Sequence, residues 1–238
     1  MAERLQKLIA EAGLMSRRAA EQAIIAGRVT HNGTVAQIGD SAEPGDTILI
    51  DGIPLPKSDK KRYYMLNKPR GYVCTMHDER GRHSVRELLP ASAGRVYPVG
   101  RLDLMSEGLL LMTNDGEFAF HVTHPSGMVM KTYRTSVSGE DLDSRIERLN
   151  AQFELDGVTV QAVSVRVLKK TENSAVLDIT IGEGRNRQIR RMCEAAGLRV
   201  TRLIRIAEGE LKLGKLPSGR SRELTSEEIA RVMGEKQK

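Results

Sequence analysis

Asp103 lies in the run PVGRLDLMSEGLLLMTNDG, residues 98–116, between a short apolar approach (Val96 to Val99) and a stiff apolar run (Leu109 to Met112). Both flanks read as strands. Gly100 and Gly108 let the backbone turn between them, and Asn114-Asp115-Gly116 closes the second strand. A carboxylate in a loop between two buried strands is held rigidly, as a reactive group must be. The plainer alternative is that Asp103 caps a turn. Glu107 shares the loop, which would allow an acid–base pair of the glycosidase kind, but spacing within a loop does not set the separation such a pair needs. His121 and His124 lack further ligands at metal-binding spacing. Cys74 and Cys193 form neither a metal-ligand spacing nor a disulfide framework, so reduced, packed thiols are expected.

The second chemical signal is charge. The net charge is +6, which points to a polyanionic partner. Residues 1–60 carry a balance of −1 and residues 61–238 one of +7. The excess peaks at 185–205, where seven arginines meet one acid, Glu194. Arginine matches phosphate oxygens bidentately, so this is more than a solvated face.

The elements that must position these groups follow from periodicity. Leu5, Leu8, Ile9 and Ala12 predict a helix over 4–12 that ends at Gly13. Ser16 caps a second helix with Ala19, Ala20, Ala23 and Ile24 inward and Gly27 as its stop. Short strands at 28–31 and 34–36 flank Asn32-Gly33, a type I′ hairpin signal, and Pro44-Gly45-Asp46 turns into a third strand over 47–51. Lys7, Arg17, Arg18 and Arg28 are expected on the exposed side. Arg17 and Arg18 follow the cap directly, where free helix N–H groups could hold a phosphate with them. PKSDKKR, 56–62, reads as a linker, giving domains at 1–55 and 63–238.

Beyond the linker, strands are expected at 63–67 and 72–75 around a Lys68-Pro69-Arg70-Gly71 turn, with 77–83 as a charged loop. Ser84 to Glu87 has the capping-box pattern. A helix near 117–123 follows the Asp103 loop. Val129 to Val137 has strand composition and contains Tyr133. Leu142, Ile146 and Leu149 mark an amphipathic helix. Val163, Val165 and Val167 alternate as a half-buried strand, paired with 175–181. Gly184-Arg185-Asn186 opens a helix with Ile189, Met192, Cys193 and Ala196 inward, then a strand spans 198–206, and Thr225 to Glu228 caps the last helix. The pattern predicts an α+β architecture with a mixed, largely antiparallel sheet. No apolar run approaches the roughly 18 residues of a membrane span, and the charged N-terminus is not a signal peptide. A cytoplasmic protein is expected.

LQKLIAEAGLMSRRAAEQAIIAGRVTHNG, in the first quarter of the chain, resembles the alpha-L (S-four-like) RNA-binding module. VGRLDLMSEGLLLMTNDG, KTYR, EGRNRQIRRMCEAAG and LNKPRGY together resemble the RsuA/RluB/RluE/RluF family of ribosomal RNA pseudouridine synthases, over essentially the whole chain. Ser106 stands where that family usually has Thr, with the hydroxyl kept.

The resemblance implies an isomerase that breaks a uridine's N-glycosidic bond, turns the uracil and rejoins it through carbon five, with no cofactor. Asp103 is then the catalytic carboxylate, either attacking the anomeric carbon or removing a proton from the adjacent sugar carbon. Tyr133 matches the family tyrosine that stacks on the base and serves in proton transfer. Arg190 matches the basic residue paired with the aspartate, and Leu203 the apolar wall of the uracil pocket. Arg101 would fill the gap left by a flipped base or grip a phosphate, with Arg185, Arg187 and Arg191 on the RNA backbone. Ribosomal RNA or an assembling subunit is the expected partner, with the large subunit favoured, and a monomer is expected. The competing reading is a non-catalytic RNA-binding or ribosome-assembly factor, which leaves a carboxylate in a basic surface unexplained.

Overall fold

The computed structural model describes residues 2–56, 60–76 and 78–234. It divides into two compact units, Met1–Lys61 with Asn114–Gly116, and Arg62–Thr113 with Glu117–Lys238. Residues 57–59 of the expected linker, and His77 of the expected charged loop, lie outside the described residues.

In the first unit β1 (Glu3–Arg4) leads into α1 (Leu5–Glu11), and α2 (Arg17–Ile25) follows. Ser16 Oγ accepts from the Ala19 amide at 3.1 Å, a cap worth about 1 kcal/mol. Gly27, at φ 69°, ends α2, with the amides of Gly27 and Arg28 turning back to the carbonyls of Ile24 and Ala23. The strands are β2 (Val29–His31), β3 (Thr34–Val35), β4 (Ser41–Ala42), β5 (Ile48–Ile50) and β6 (Ile53–Pro54). Asn32 and Gly33 both take positive φ, 49° and 83°, as the hairpin signal requires. Leu5, Ile9, Ala20, Ala23 and Ile24 pack on Val29, Ile48 and Ile50. Ala19, expected inward, is exposed: the buried stripe of α2 runs through 20, 23 and 24 and leaves position 19 on the solvent side.

The second unit contains β7 (Tyr63–Lys68), β8 (Tyr97–Val99), β9 (Glu107–Thr113), α3 (Gly116–Thr123), β10 (Lys131–Ser138), α4 (Leu142–Arg148), β11 (Phe153–Leu155), β12 (Val158–Val160), β13 (Ser164–Lys170), β14 (Ser174–Ile181), α5 (Gln188–Ala195), β15 (Arg199–Glu208), β16 (Leu211–Lys212), β17 (Ser221–Glu223) and α6 (Ser226–Met233). One sheet runs β13-β14-β10-β15-β9-β7-β17, with β16 on β15 and β8 on β9. Among the described pairings of this sheet, β15 with β9 is the parallel one, so it is mixed and largely antiparallel. Leu142 and Ile146 of α4 and Ile189, Met192 and Cys193 of α5 share a core with Tyr133, Leu177, Ile179 and Leu203 of the sheet. Phe118 and Val122 of α3 and Val232 of α6 pack with Met65, Leu109 and Leu111 in a second core.

Two expectations fail here. Residues 72–75 form no strand. Val73 makes a single bridge to Ser84, its amide bonding to His83 O and its carbonyl to Val85 N, so its main-chain groups are spent on a loop. Val163, Val165 and Val167 are not a half-buried row: Val163 is 59% and Val167 47% exposed. β13 is an edge strand with a register shift between Val167 and Lys169, and of the three only Val165 packs on the core.

The sheet's edges fix the loop of interest. β9 pairs with β7 along one side. On the other, Glu107 and Gly108 pair with β15 and Leu111 to Thr113 pair with β8. Residues 100–106 therefore leave β8 and enter β9 at the gap where the β15 partner gives way to β8.

Candidate active site

A cavity of about 370 Å³ opens beside this gap, lined by the Asp103 loop, Tyr133 of β10, Leu203 and Arg205 of β15, and the segment leading into α5. Its size falls in the range of roughly 300–1,000 Å³ usual for small-ligand sites. Tyr133 is 8% exposed and stands opposite Arg205 across the β10–β15 ladder. A register shift between Thr132 and Tyr133 sits at that point, a bulge of the kind that re-aims side chains near functional sites. Burial pushes the Tyr133 hydroxyl pKa above its usual value, against the pull of the Arg205 charge, so the group stays a neutral phenol at physiological pH.

Asp103 is half-buried in the wall. Its backbone carbonyl accepts from Ser106 N at 3.0 Å and from Lys68 Nζ at 3.2 Å. Its carboxylate makes no hydrogen bond or ion pair among the described residues, though its charge acts on Lys68, Tyr133 and Arg190. A fixed backbone with an unspent carboxylate facing a cavity is the state a reacting group needs.

Lys68 does the fixing. It is fully buried, and its ammonium donates to the carbonyls of Pro69, Asp103, Leu104 and Ser106 at 3.0, 3.2, 3.4 and 2.9 Å. Burial lowers its pKa. Cys74 adds a second tether, with Leu102 N donating to its sulfur at 3.3 Å. Lys68→Met should cost about 2–3 kcal/mol of stability, because four carbonyls, one buried and three partly buried, lose a donor. Turnover at saturating RNA should fall by about 100-fold as the loop loosens. Urea denaturation and single-turnover kinetics check both numbers.

The expected site residues separate into groups. Asp103, Tyr133, Leu203, Arg101, Arg185 and Arg187 all line the cavity. Arg190 does not pair directly with Asp103: its Nη2 donates to Met105 O at 3.1 Å, and its charge reaches the carboxylate only through space. Arg191 forms a two-point pair with Asp156 at 2.7 and 2.9 Å, away from the cavity lining. Arg28 is likewise tied to Asp51, at 2.9 and 2.5 Å. Arg17 and Arg18 are exposed at the start of α2.

Glu107 cannot partner Asp103 as an acid. It begins β9, bonded to Arg202 at 3.0 and 2.8 Å and to Arg70 at 2.7 Å, and the bond to Arg202 foremost lowers its pKa. His121 bonds to Val232 O at 3.1 Å, and His124 stacks on Phe120 with ring centroids 4.4 Å apart. Cys193 is buried, its thiol pKa pushed up to about 12 by that burial, which makes it inert.

Sequence reasoning missed Lys131, Arg205 and Glu208 as parts of this wall, and Lys68 as the group that fixes the Asp103 loop. Arg205 shares the parity of Leu203 along β15, so it had to face the same side. Glu208 escapes that rule because the ladder shifts register before it.

An arginine-rich pocket that brings the Asp103 carboxylate and a neutral tyrosine together is suited to chemistry on a small group carried by a polyanion. Residues 62–195 match the RNA pseudouridylate synthase family, and residues 3–48 match the S4 domain. The ribosomal large subunit pseudouridine synthase B of Bacillus subtilis is 40% identical over 233 residues, covering 97% of this chain and 95% of its own length. An RNA pseudouridine synthase of Aquifex aeolicus is 39% identical, covering 98% and 94%. A crystal structure of a pseudouridylate synthase superposes with TM-score 0.67 at 30% identity, covering 97% of this chain and 99% of that one. The chain belongs to the RNA pseudouridylate synthase family, and is an RNA-modifying isomerase with an S4 domain.

Proposed function

We propose that this enzyme converts one uridine of large-subunit ribosomal RNA to pseudouridine, with Asp103 as the catalytic carboxylate. The observation that carries the assignment of roles is the shared cavity: an unpaired Asp103 carboxylate and the Tyr133 hydroxyl line one pocket of pyrimidine-sized room. The choice of ribosomal RNA draws on relatives such as the Bacillus subtilis enzyme, whose name specifies the ribosomal large subunit.

The reaction balances without a redox step. The N1–C1′ bond breaks, a C5–C1′ bond forms, and one proton moves from C5 to N1. Asp103 acts at the sugar, as nucleophile on C1′ or as base on the adjacent carbon. Tyr133 stacks on the uracil and carries the proton, Leu203 packs against the ring, and Arg190 supports the Asp103 charge from a distance. Arg101, Arg185 and Arg187 at the mouth hold phosphates, which offsets the few kcal/mol of unstacking. Arg17 and Arg18 contact RNA from the 1–55 domain. The ion pairs of Arg28 and Arg191 make these two the lesser contributors. Residues 56–62 serve as the linker and 63–238 as the catalytic domain. The protein works as a monomer in the cytoplasm, where ribosomes are assembled.

Incubating the protein with transcripts of both ribosomal RNAs and mapping pseudouridines tests this reading. One new pseudouridine in the large-subunit transcript is expected. A site only in the small-subunit RNA overturns the subunit assignment. No pseudouridine in either, nor in assembling subunits, overturns the function.

A further inference from the structure

Three residues that line the cavity each hold a buried polar atom without a hydrogen-bond partner among the described residues: Arg205 Nη2, Glu208 Oε2 and Ser106 Oγ. Leaving such an atom unpaired costs about 1–3 kcal/mol, and native folds keep few without a reason. The first two are neighbours. Arg205 Nη2 and Glu208 Oε2 lie 3.6 Å apart, an ion pair too long to be a hydrogen bond. Arg205 is 2% and Glu208 1% exposed. The other capacity of the pair is accounted for. Arg205 Nε donates to Leu109 O at 2.6 Å, the guanidinium also bonds to the Tyr133 side chain, and Lys131 Nζ stands 4.0 Å from Glu208 Oε1. What remains, on two residues of the cavity lining, is one donor edge beside one acceptor oxygen, both buried just behind the wall and already removed from water.

That combination has a chemical complement. It calls for a ligand edge on which an acceptor adjoins a donor. The imide edge of uracil is such an edge, a ring carbonyl next to N3–H. Cytosine would instead turn the lone pair of its N3 toward the carboxylate, an unpaired acceptor against an anion.

We propose that Arg205 and Glu208 together read the imide edge of the target uracil, Arg205 donating to a ring carbonyl and Glu208 accepting from N3–H. This rests on the cavity being the uridine site. It makes the pair determinants of base identity, which phosphate-gripping arginines cannot supply. When the N1–C1′ bond opens, its electron pair leaves with the ring and spreads onto the carbonyl oxygens. A guanidinium at a carbonyl then interacts more strongly than in the ground state, so its effect falls on turnover rather than on RNA binding.

The test compares RNA carrying uridine or 3-methyluridine at the mapped position, the second lacking the N3 donor. Glu208→Gln, nearly isosteric, should lower kcat by about 30-fold and leave the RNA dissociation constant unchanged. Wild type should prefer uridine by about 100-fold or more in kcat/KM. Glu208→Ala should cut that preference below about tenfold, because it removes the acceptor and makes room for the methyl group. Unaltered kcat in Glu208→Gln, or undiminished preference in Glu208→Ala, overturns the proposal. Wild type that accepts 3-methyluridine within about tenfold of uridine overturns it too, and needs no variant to fold. If Asp103→Asn is inactive while the Glu208 variants match wild type, the uracil reading fails and the isomerase stands.

Discussion

Asp103→Asn yields a protein that folds, binds its RNA and does not turn it over. The fold uses the backbone of residue 103, not its side chain: the carbonyl accepts from Lys68 and Ser106, while the carboxylate has no partner among the described residues. Asparagine keeps the shape and both backbone bonds. The melting temperature should therefore move by no more than about 2 °C. The RNA dissociation constant should stay within about threefold, with any change toward tighter binding, since a negative charge leaves a phosphate-binding surface. Turnover should drop by about 10,000-fold or more, which is about 5.5 kcal/mol of barrier. An amide neither attacks an anomeric carbon nor accepts a sugar proton at neutral pH. Retention of a tenth of wild-type turnover on the mapped uridine would remove Asp103 from the chemistry. The Tyr133 phenol and the distant Arg190 charge both fit an enzyme in which one anion does the sugar chemistry and neutral or cationic groups handle the base.

Much of this arrangement follows from pattern alone, and what escapes does so for definable reasons. Ser16, Asn32-Gly33, Gly27 and Thr225 act through local backbone chemistry, which a few neighbouring residues dictate. They appear in the structure where that chemistry puts them, down to the Thr225 Oγ1 that accepts from Glu228 N at 3.2 Å. Loop residues such as Asp103 are legible because two apolar strands bracket them. Residues 72–75 are apolar and β-branched enough to mimic a strand, yet among the described residues their pairing is limited to the Val73–Ser84 bridge, and pairing is a long-range property. Arg205 and Glu208 are hidden for the opposite reason. A charged residue in an alternating pattern reads as the solvent side, and only a cavity wall gives it reason to be inside. Arg190 shows the limit of carrying roles over by motif: its position on α5 is as expected, but its hydrogen bond goes to the carbonyl of Met105, two residues past the carboxylate. Whether a guanidinium meets a side chain or a main chain is settled by ångström-scale packing that spacing does not encode.

Gly108→Ala should be severely damaging for the addition of a single methyl group. Gly108 enters β9 at φ 106°, in a region other residues rarely occupy. A Cβ there would stand 2.3 Å from the Arg205 carbonyl oxygen, 2.7 Å from the Arg205 nitrogen and 2.9 Å from Ile204 Cγ2. Two of those three atoms are backbone, so no rotamer change relieves the clash. The contact is also where β15 runs parallel to β9, Arg205 opposite Gly108. Close approach there is what sets Arg205 and Leu203 of β15 beside the loop that carries Asp103. Pushing the strands apart breaks the sheet at the join between its β10–β15 half and its β7–β9 half, and widens the cavity in the same movement. The cost should exceed about 4 kcal/mol, from left-handed strain added to overpacking against backbone. That is a large share of the roughly 5–15 kcal/mol that holds a domain together. Denaturant titration should show the variant largely unfolded or aggregated at 37 °C. Gly33→Ala, where no atom lies within 4 Å of the added Cβ, is the matched control: it shares the positive φ without the clash, and should lose only about 1 kcal/mol. Equal losses at the two sites would mean that the backbone conformation, and not the approach of β15, is what position 108 protects.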